Sequence, residues 1–374
     1  MSAAAGVRPL RIGIDVRTAL APKTGDRTYC LNLVRALAEL DHENEYLLLA
    51  DAAPPDGLLP AQSNVRLVVL PVRPAWRFTP LALPLCALRE RLDLLHVQYL
   101  IPPVCPCPVI TTIHDVTFAL FPHWFPPKHR WLLRALIPLA VRRSARILTG
   151  SVRTRDDLAR CYAPLTDVAV KTAVTPYAPD PSLGPADDEA IASVRQRHGL
   201  TRPFILAVGV LQPRKNFAAL AAAFDEVVSR HPQLPHELCV IGKSGWGEAP
   251  RGARVRRLGY VPDDELPALY SACDLFVYPS YYEGFGFPPL EAMACGAPVA
   301  CSTGGSLPEA VGEAALTFDP HDFEAMVDAI ARPLTDAVLR AALRARGLAH
   351  AATFSWRRTA DQTLAVYREV ACHE

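Results

Sequence analysis

The sequence predicts an α/β protein built as two doubly wound domains facing across a cleft. Three observations carry that expectation. A strand at 10–15, a loop and an amphipathic helix at 29–40 open one nucleotide-type unit, and a strand at 204–208 opens another. Residues 176–185 hold four prolines, which mark a linker between the two. A strand at 275–278, a glycine-rich turn, a short helix and a strand at 298–301 repeat the α/β pattern in the second half. A chain of 374 residues is long enough for two domains of ordinary size, with expected spans of 1–180 and 181–353.

In the first half, Thr24-Gly25-Asp26-Arg27 reads as a loop, and Leu31, Val34, Leu37 and Leu40 share a helical face after it. Residues 46–49, 65–70 and 94–98 read as further strands. His96 and Gln98 end the last of these at the carboxyl edge, where such sheets bind ligands. Residues 109–116 are rich in β-branched side chains and read as a strand ending in His114-Asp115. A neutral imidazole there could hydrogen-bond a sugar hydroxyl, and Asp115 could orient it or meet an acceptor. The aromatic, proline-rich stretch 118–130 reads as a loop. Residues 128–146 mix apolar and basic side chains around Pro138. They suit either a membrane-surface helix or a helix packed on the sheet with a solvated basic edge. A strand at 147–151, a helix at 153–160 capped by Ser151 or Thr154, and a strand at 168–175 complete this half.

The second half begins with a helix at 189–198. Gly209 ends the strand at 204–208; Arg214 and Lys215 follow, and Asn216 can cap a helix at 217–228. Two cations at a strand–loop–helix junction are what a diphosphate leaving group requires. Arg binds two oxygens through its planar fork, and Lys acts as a mobile charge. Lys243 follows the strand at 238–241 and could approach phosphates or base. Tyr260 and Val261 follow the strand at 255–258, and a helix occupies 263–272.

The decisive stretch runs from Ser280 to Ala300. Gly284 and Gly286, on either side of Phe285, let a ligand approach the backbone closely. Pro288 and Pro289 suit the first turn of a helix, whose N-terminal N–H groups make an anion site. Glu283 on the turn and Glu291 in the first helical turn can both point into one crevice, where carboxylates accept from hydroxyls. An anion cradle flanked by two acids suits a nucleotide diphosphate sugar; the plain alternative is a capped helix with a solvated Glu. The loop at 302–306, a short helix carrying Glu309, and helices at 322–332, 336–348 and 354–370 follow.

Composition narrows the function further. A formal net charge of +1 gives no bulk signal for nucleic acid. No phosphate-binding G-x-x-x-x-G-K-[ST] loop and no convincing D-x-D metal motif occur. Of ten cysteines, only Cys105 and Cys107 lie close in sequence, so structural thiols are expected rather than a zinc site. The first residues lack an apolar leader core, and no apolar run is long enough to span a bilayer. The expected location is cytoplasmic, with peripheral contact at the inner membrane face as an option.

The stretch Glu283-Gly-Phe-Gly-Phe-Pro-Pro-Leu-Glu291 resembles the E-x7-E signature of the retaining glycosyltransferases of family 4, which have the GT-B fold of two Rossmann-like domains. The likeness extends through Val208-Gly-Val-Leu-Gln-Pro-Arg-Lys-Asn216, Leu258-Gly-Tyr-Val-Pro262, Ser306-Leu-Pro-Glu309 and Phe354-Ser-Trp356. It implies a donor site mainly on 181–353 and an acceptor side on 1–180, the latter completed by a C-terminal helix at 354–374. By resemblance, Gly25 meets the donor phosphates, although Asp26 departs from the usual glycine or apolar neighbour. Arg214 and Lys215 take the diphosphate, His114 reaches the donor sugar, and Tyr260 and Val261 border the base. Glu283 holds the hexose and Glu291 the ribose. Gly209, Lys243, Gly284, Phe285 and Gly286 complete the expected donor surface. The implied reaction is metal-independent hexosyl transfer with retention, without a cofactor, from a nucleotide sugar to a glycan or lipid-linked acceptor. Likeness to bacterial polysaccharide mannosyltransferases makes GDP-mannose the first donor, with a UDP-hexose such as UDP-glucose next. Sugar-nucleotide epimerases share the architecture but lack this combination of motifs. A non-catalytic sugar-nucleotide-binding subunit is the alternative of a different class.

Overall fold

The computed structural model describes residues 8–22, 24–125 and 127–372. The reading of the first residues as leaderless, Pro126 of the aromatic stretch and 373–374 of the last helix therefore lie outside the described residues. The chain divides into two compact units. One holds the chain up to Leu120, Phe125–Tyr177 and the segment from Trp356; the other holds Phe121–Trp124 and Ala178–Ser355.

The first unit runs β1 (Arg11–Asp15), α1 (Gly25–Leu40), β2 (Glu45–Ala50), β3 (Val65–Val69), α2 (Leu83–Glu90), β4 (Leu94–Gln98) and β5 (Val109–Thr112). It continues through α3 (Thr117–Leu120), α4 (Pro127–Arg143), β6 (Arg146–Thr149), α5 (Val152–Tyr162), α6 (Val168–Lys171) and β7 (Thr172–Val174). The strands form a parallel sheet in the order β3-β2-β1-β4-β5-β6-β7. The central strands are buried on both faces, which is why they read as continuous apolar runs.

Several boundaries differ from the sequence reading for identifiable reasons. Gly25 opens α1 rather than lying in a loop, because the Thr24 hydroxyl accepts from the Arg27 N–H at 3.3 Å. β5 stops at Thr112, and Asp115 Oδ1 instead accepts the Thr117 N–H at 2.9 Å, which starts α3. Asp167 caps the helical turn of α6, so β7 is shorter than the strand expected at 168–175. α4 continues through Pro138, since Ile137, Ala140 and Val141 are buried against the sheet and offset the lost helical hydrogen bond. α2 carried no strand or helix expectation.

The second unit runs α7 (Asp188–Arg197), β8 (Phe204–Val208), α8 (Phe217–Arg230), β9 (Glu237–Ile241), β10 (Val255–Gly259), α9 (Leu266–Ala272) and β11 (Leu275–Tyr278). It ends with α10 (Phe287–Ala294), β12 (Val299–Ser302), α11 (Leu307–Val311), β13 (Leu316–Phe318), α12 (Phe323–Thr335) and α13 (Ala337–Ala351). Its sheet is parallel in the order β10-β9-β8-β11-β12-β13. Asn216 precedes α8 at φ 57° rather than capping it through its side chain; Asn tolerates this left-handed conformation. The last helix, α14 (Trp356–Cys372), belongs to the first unit and packs on α1. It is pinned there by Tyr367, whose hydroxyl lies 2.6 Å from His96 Nδ1, and by an Arg146–Glu369 pair at 2.9 Å.

The aromatic stretch was expected on the acceptor side of the first domain. Its residues Phe121–Trp124 instead join the second unit. Trp124 stacks on Tyr281 with ring centroids 6.1 Å apart, and its carbonyl accepts the Trp246 indole N–H at 2.8 Å.

Candidate active site

Both sheets reverse strand order at their centres, between β1 and β4 and between β8 and β11. Open α/β sheets take ligands at the carboxyl ends of strands beside such reversals. In the second unit, the segments after β8 and β11 meet there. Glu283 is buried, and Arg214 Nη1 donates to its Oε2 at 2.6 Å while Lys215 Nζ donates to its Oε1 at 2.6 Å. The Tyr278 hydroxyl reaches Oε1 at 3.1 Å, and Lys215 also donates to that hydroxyl. Arg214 is steadied further by the Gln212 side chain at 3.1 Å and the Tyr282 carbonyl at 3.2 Å.

Burial would raise the Glu283 carboxyl, but the Arg214 and Lys215 charges override it and hold the pKa down to about 2. The acid is therefore ionised throughout the physiological range. Two cations against one carboxylate leave the cluster with a formal excess of one positive charge. The cations and the acid, expected in separate roles, are direct partners here.

The backbone around Glu283 is held by the loop after β12. Ser306 donates its N–H and its hydroxyl to the Glu283 carbonyl, both at 3.0 Å. Gly305 sits at φ +67°, and a Cβ there would lie 2.2 Å from the Glu283 carbonyl oxygen. Sequence reasoning treated this loop as a connection; the Gly304-Gly305 pair was the available signal. Gly284 and Phe285 form the turn, and Gly286 at φ +119° is the N-cap of α10, with Pro288 and Pro289 following in its first turn. Glu291 is buried in that helix, where the Tyr270 hydroxyl donates to its Oε2 at 3.2 Å. Tyr270, Phe276 and Tyr278 form a row of rings, with centroids 5.4 and 6.0 Å apart, between the partners of the two acids.

The remaining donor-surface candidates line the ends of the neighbouring strands. Gly209 follows β8 and donates to the Ile241 carbonyl at 2.8 Å. Lys243 follows β9 and places its ammonium 4.8 Å from the ring centroid of Tyr260, which follows β10 and is exposed, whereas Val261 is buried.

In the first unit, His114 is buried after β5. Its Nε2 lies 2.9 Å from Gln98 Oε1 and its Nδ1 2.9 Å from the Tyr177 hydroxyl. Gln98 donates through Nε2 to Thr18 at 2.7 Å, which presents its Oε1 to the histidine and assigns the proton to His114 Nε2. Burial lowers the His114 pKa, opposed by Asp26, whose Oδ1 is 3.9 Å away, and by Asp115. The imidazole is neutral near pH 7. Tyr29, Tyr99 and Tyr177 enclose it with ring centroids 4.9, 5.5 and 5.6 Å distant; no pattern in the sequence announced them. His96 is not a contact group. It is buried between Thr112 and Tyr367, and burial lowers its pKa to about 3. Asp115 is occupied at the start of α3. Gly25 lies at the N-terminus of α1.

The described cysteines form no disulfide, and the Cys105 and Cys107 sulfurs lie 3.7 Å apart. Among the described residues no group of three His, Cys, Asp or Glu side chains is arranged to hold a metal ion.

Comparison with known proteins covers both units. Residues 24–170 match the family described as Glycosyltransferase Family 4, and residues 189–350 match Glycosyl transferases group 1. The O-antigen chain mannosyltransferase B of Escherichia coli is 36% identical over 269 residues, covering 69% of this chain and 70% of that protein. Among solved structures, the sucrose-phosphate synthase of Thermosynechococcus elongatus superposes with a TM-score of 0.76 at 21% identity, over 98% of this chain and 100% of that one. Anabaena Alr3699/HepE, solved in complex with UDP and glucose, gives 0.69 at 18% identity, over 96% and 100%. The two structural matches establish a shared architecture of two Rossmann-like, parallel-sheet domains.

Proposed function

We propose that this chain, which belongs to the family 4 glycosyltransferases with the GT-B fold, transfers mannose from GDP-mannose to a hydroxyl of a glycan or lipid-linked acceptor, with retention. The cluster of Arg214, Lys215 and Glu283 carries this reading. It lies at the β8/β11 reversal and has a spare positive charge, which suits a diphosphate. Mannose is favoured because a relative matched over 69% of the chain is a mannosyltransferase.

In this mechanism Arg214 and Lys215 bind the diphosphate and stabilise the charge that grows on it as the glycosidic bond breaks. The N-terminus of α10 adds backbone N–H groups. Glu283 orients the two cations and accepts from hexose hydroxyls. It is a poor nucleophile, since each of its oxygens is held by a cation at 2.6 Å. Attack therefore comes from the acceptor hydroxyl on the face the diphosphate leaves, and the leaving phosphate takes the proton. Glu291 binds the ribose, and Gly209, Gly284, Phe285 and Gly286 lie along the phosphates, with Lys243, Tyr260 and Val261 toward the base. Gly25 contributes N–H groups of α1, and neutral His114 turns its Nε2–H from Gln98 Oε1 to a hydroxyl of the donor sugar when the donor binds. No cofactor is required, and the protein works at a membrane surface where lipid-linked acceptors are presented. A UDP-hexose donor is the second reading, since a neighbour of the same fold was solved with UDP and glucose.

Incubation with GDP-mannose, UDP-glucose and a mannosyl acceptor, followed by proton NMR of the product, tests the assignment. An α-mannosyl product formed only from GDP-mannose is expected. A glucosyl product, or a product inverted at the anomeric carbon, contradicts it.

A further inference from the structure

Building on the proposed membrane-surface site of action, we propose that α2 and α4 together form a docking face for anionic lipid on the first unit. The strand order places them side by side. The β3→β4 and β5→β6 connections cross the sheet in one direction, so right-handed crossovers lay α2 and α4 on the same face. The β1→β2 connection runs the other way and puts α1 on the opposite face. Ala140 of α4 joins Phe78, Leu83 and Cys86 of the α2 segment in one core cluster, as that placement requires.

Each helix has a second apolar stripe that the core does not use. Around α2, the buried positions are Phe78, Ala82, Leu83, Cys86 and Ala87. Leu81, Leu85 and Leu88, spaced four and three apart, project from the other side, and Leu85 and Leu88 are each 66% exposed. On α4, Trp131, Leu132 and Leu136 are exposed while Ile137, Ala140 and Val141 are buried; Trp131 is 72% exposed. Single exposed apolar residues are ordinary, but aligned stripes on two helices of one face mark an interaction surface.

The charges identify the partner. Residues 57–89 and 116–155 contain no Asp or Glu, in a chain whose formal net charge is only +1. The first run carries four Arg and the second eight Lys and Arg. Arg73, Arg77 and Arg89 flank the α2 stripe, Arg89 pairing at 3.5 Å with Glu90 at the end of the helix, and Arg134, Arg142 and Arg143 flank that of α4; all six arginines are exposed. Tryptophan and leucine ringed mainly by cations, with Glu90 the one acid on either helix, is the composition of a helix that lies in the plane of an anionic bilayer, with apolar side chains below the headgroups. Among the described residues no helix is long and apolar enough to cross a membrane, so the contact is peripheral.

The test is sedimentation of the full chain with vesicles of phosphatidylcholine alone or mixed with phosphatidylglycerol. The substitutions are Leu85→Glu with Trp131→Glu, and Arg77→Glu with Arg134→Glu. These positions are on the surface and outside the site described above. Binding to the mixed vesicles that weakens with salt, and falls roughly tenfold or more in each double variant, is expected. Equal binding to both vesicle types, binding unchanged in the variants, or self-association through these helices without vesicle binding overturns the proposal. Donor turnover without vesicles reports on the glycosyl-transfer reading separately. Protein that turns over donor but ignores vesicles refutes the docking face alone, and vesicle binding without turnover refutes only the catalytic reading.

Discussion

The β8/β11 and β1/β4 reversals occupy the same place in two sheets of like topology, yet they carry different chemistry. At β8/β11 the side chains are ions: a carboxylate between a guanidinium and an ammonium, all largely removed from water. Near β1/β4 the groups around the candidate histidine are polar and aromatic, His114, Gln98 and three tyrosines joined by hydrogen bonds and ring contacts; the charges there are Asp26, 3.9 Å from the imidazole, and an Asp15–Arg17 pair at the end of β1. The fold supplies the location in both cases. The residues decide that one end suits a diphosphate and the other suits hydroxyl groups. Removing a charge should therefore do more damage at the first site than removing a hydrogen-bonding group does at the second.

The largest effect is expected from Arg214→Ala. Loss of one preorganised donor to a developing anion costs about 10²–10³-fold in kcat, so steady-state turnover of donor should fall by that order. Glu283→Gln removes the charge between the buried Lys215 ammonium and the part-buried Arg214 guanidinium. Its cost follows from the displaced pKa: a fall from the ordinary 4.5 to about 2 corresponds to roughly 3 kcal/mol of stability at neutral pH. Because the folded-state value is depressed, that contribution is complete above about pH 4.5 and is lost as pH falls toward about 2. Urea unfolding of the wild type and the variant across this range should show curves that are far apart at pH 7 and converge in acid. Parallel curves would mean the carboxylate is not held as described.

Gly305→Ala probes the same site through the backbone. A left-handed φ of +67° and a carbonyl 2.2 Å from the new Cβ force the Glu283 turn to move. A stability loss of about 1–3 kcal/mol is expected, with a larger proportional loss of donor affinity. His114→Asn should have the smallest effect, about tenfold in kcat/KM, because it exchanges one neutral hydrogen-bonding group for another. Since burial lowers the His114 pKa, its contribution should persist as pH falls through 6.5. A steep loss of activity centred there would place the imidazole in a more polar setting.

Much of the ionic site was legible because its parts are local. Arg214-Lys215 are adjacent after one strand, and Glu283 and Glu291 flank one glycine turn, so spacing alone located them. What escaped depended on distance in sequence. Tyr278 shares a carboxylate oxygen with Lys215, and Gly305 braces Glu283 from beyond the next strand. The tyrosine cage of His114 draws on residues 29, 99 and 177, which no periodicity connects. The fold class followed from buried strands and glycine turns, whereas errors gathered at caps. Thr24 begins α1 earlier than hydrophobic spacing suggests, and Asp115 and Asp167 begin helical turns where a loop and a strand were expected, because a side-chain oxygen satisfying an N–H leaves no apolar signature. The α2 segment was missed because its apolar residues face both inward and outward, which erases the helical period.

The central claim is that Arg214, Lys215 and Glu283 form the diphosphate site of a sugar-nucleotide donor. It is tested most directly by titration calorimetry of GDP and GDP-mannose, in EDTA, against the wild type and Arg214→Ala. Binding to the wild type by both ligands, with affinity lost in the variant while its circular dichroism spectrum is unchanged, is the predicted result. Equal affinity for the two proteins would contradict the claim and place the diphosphate elsewhere.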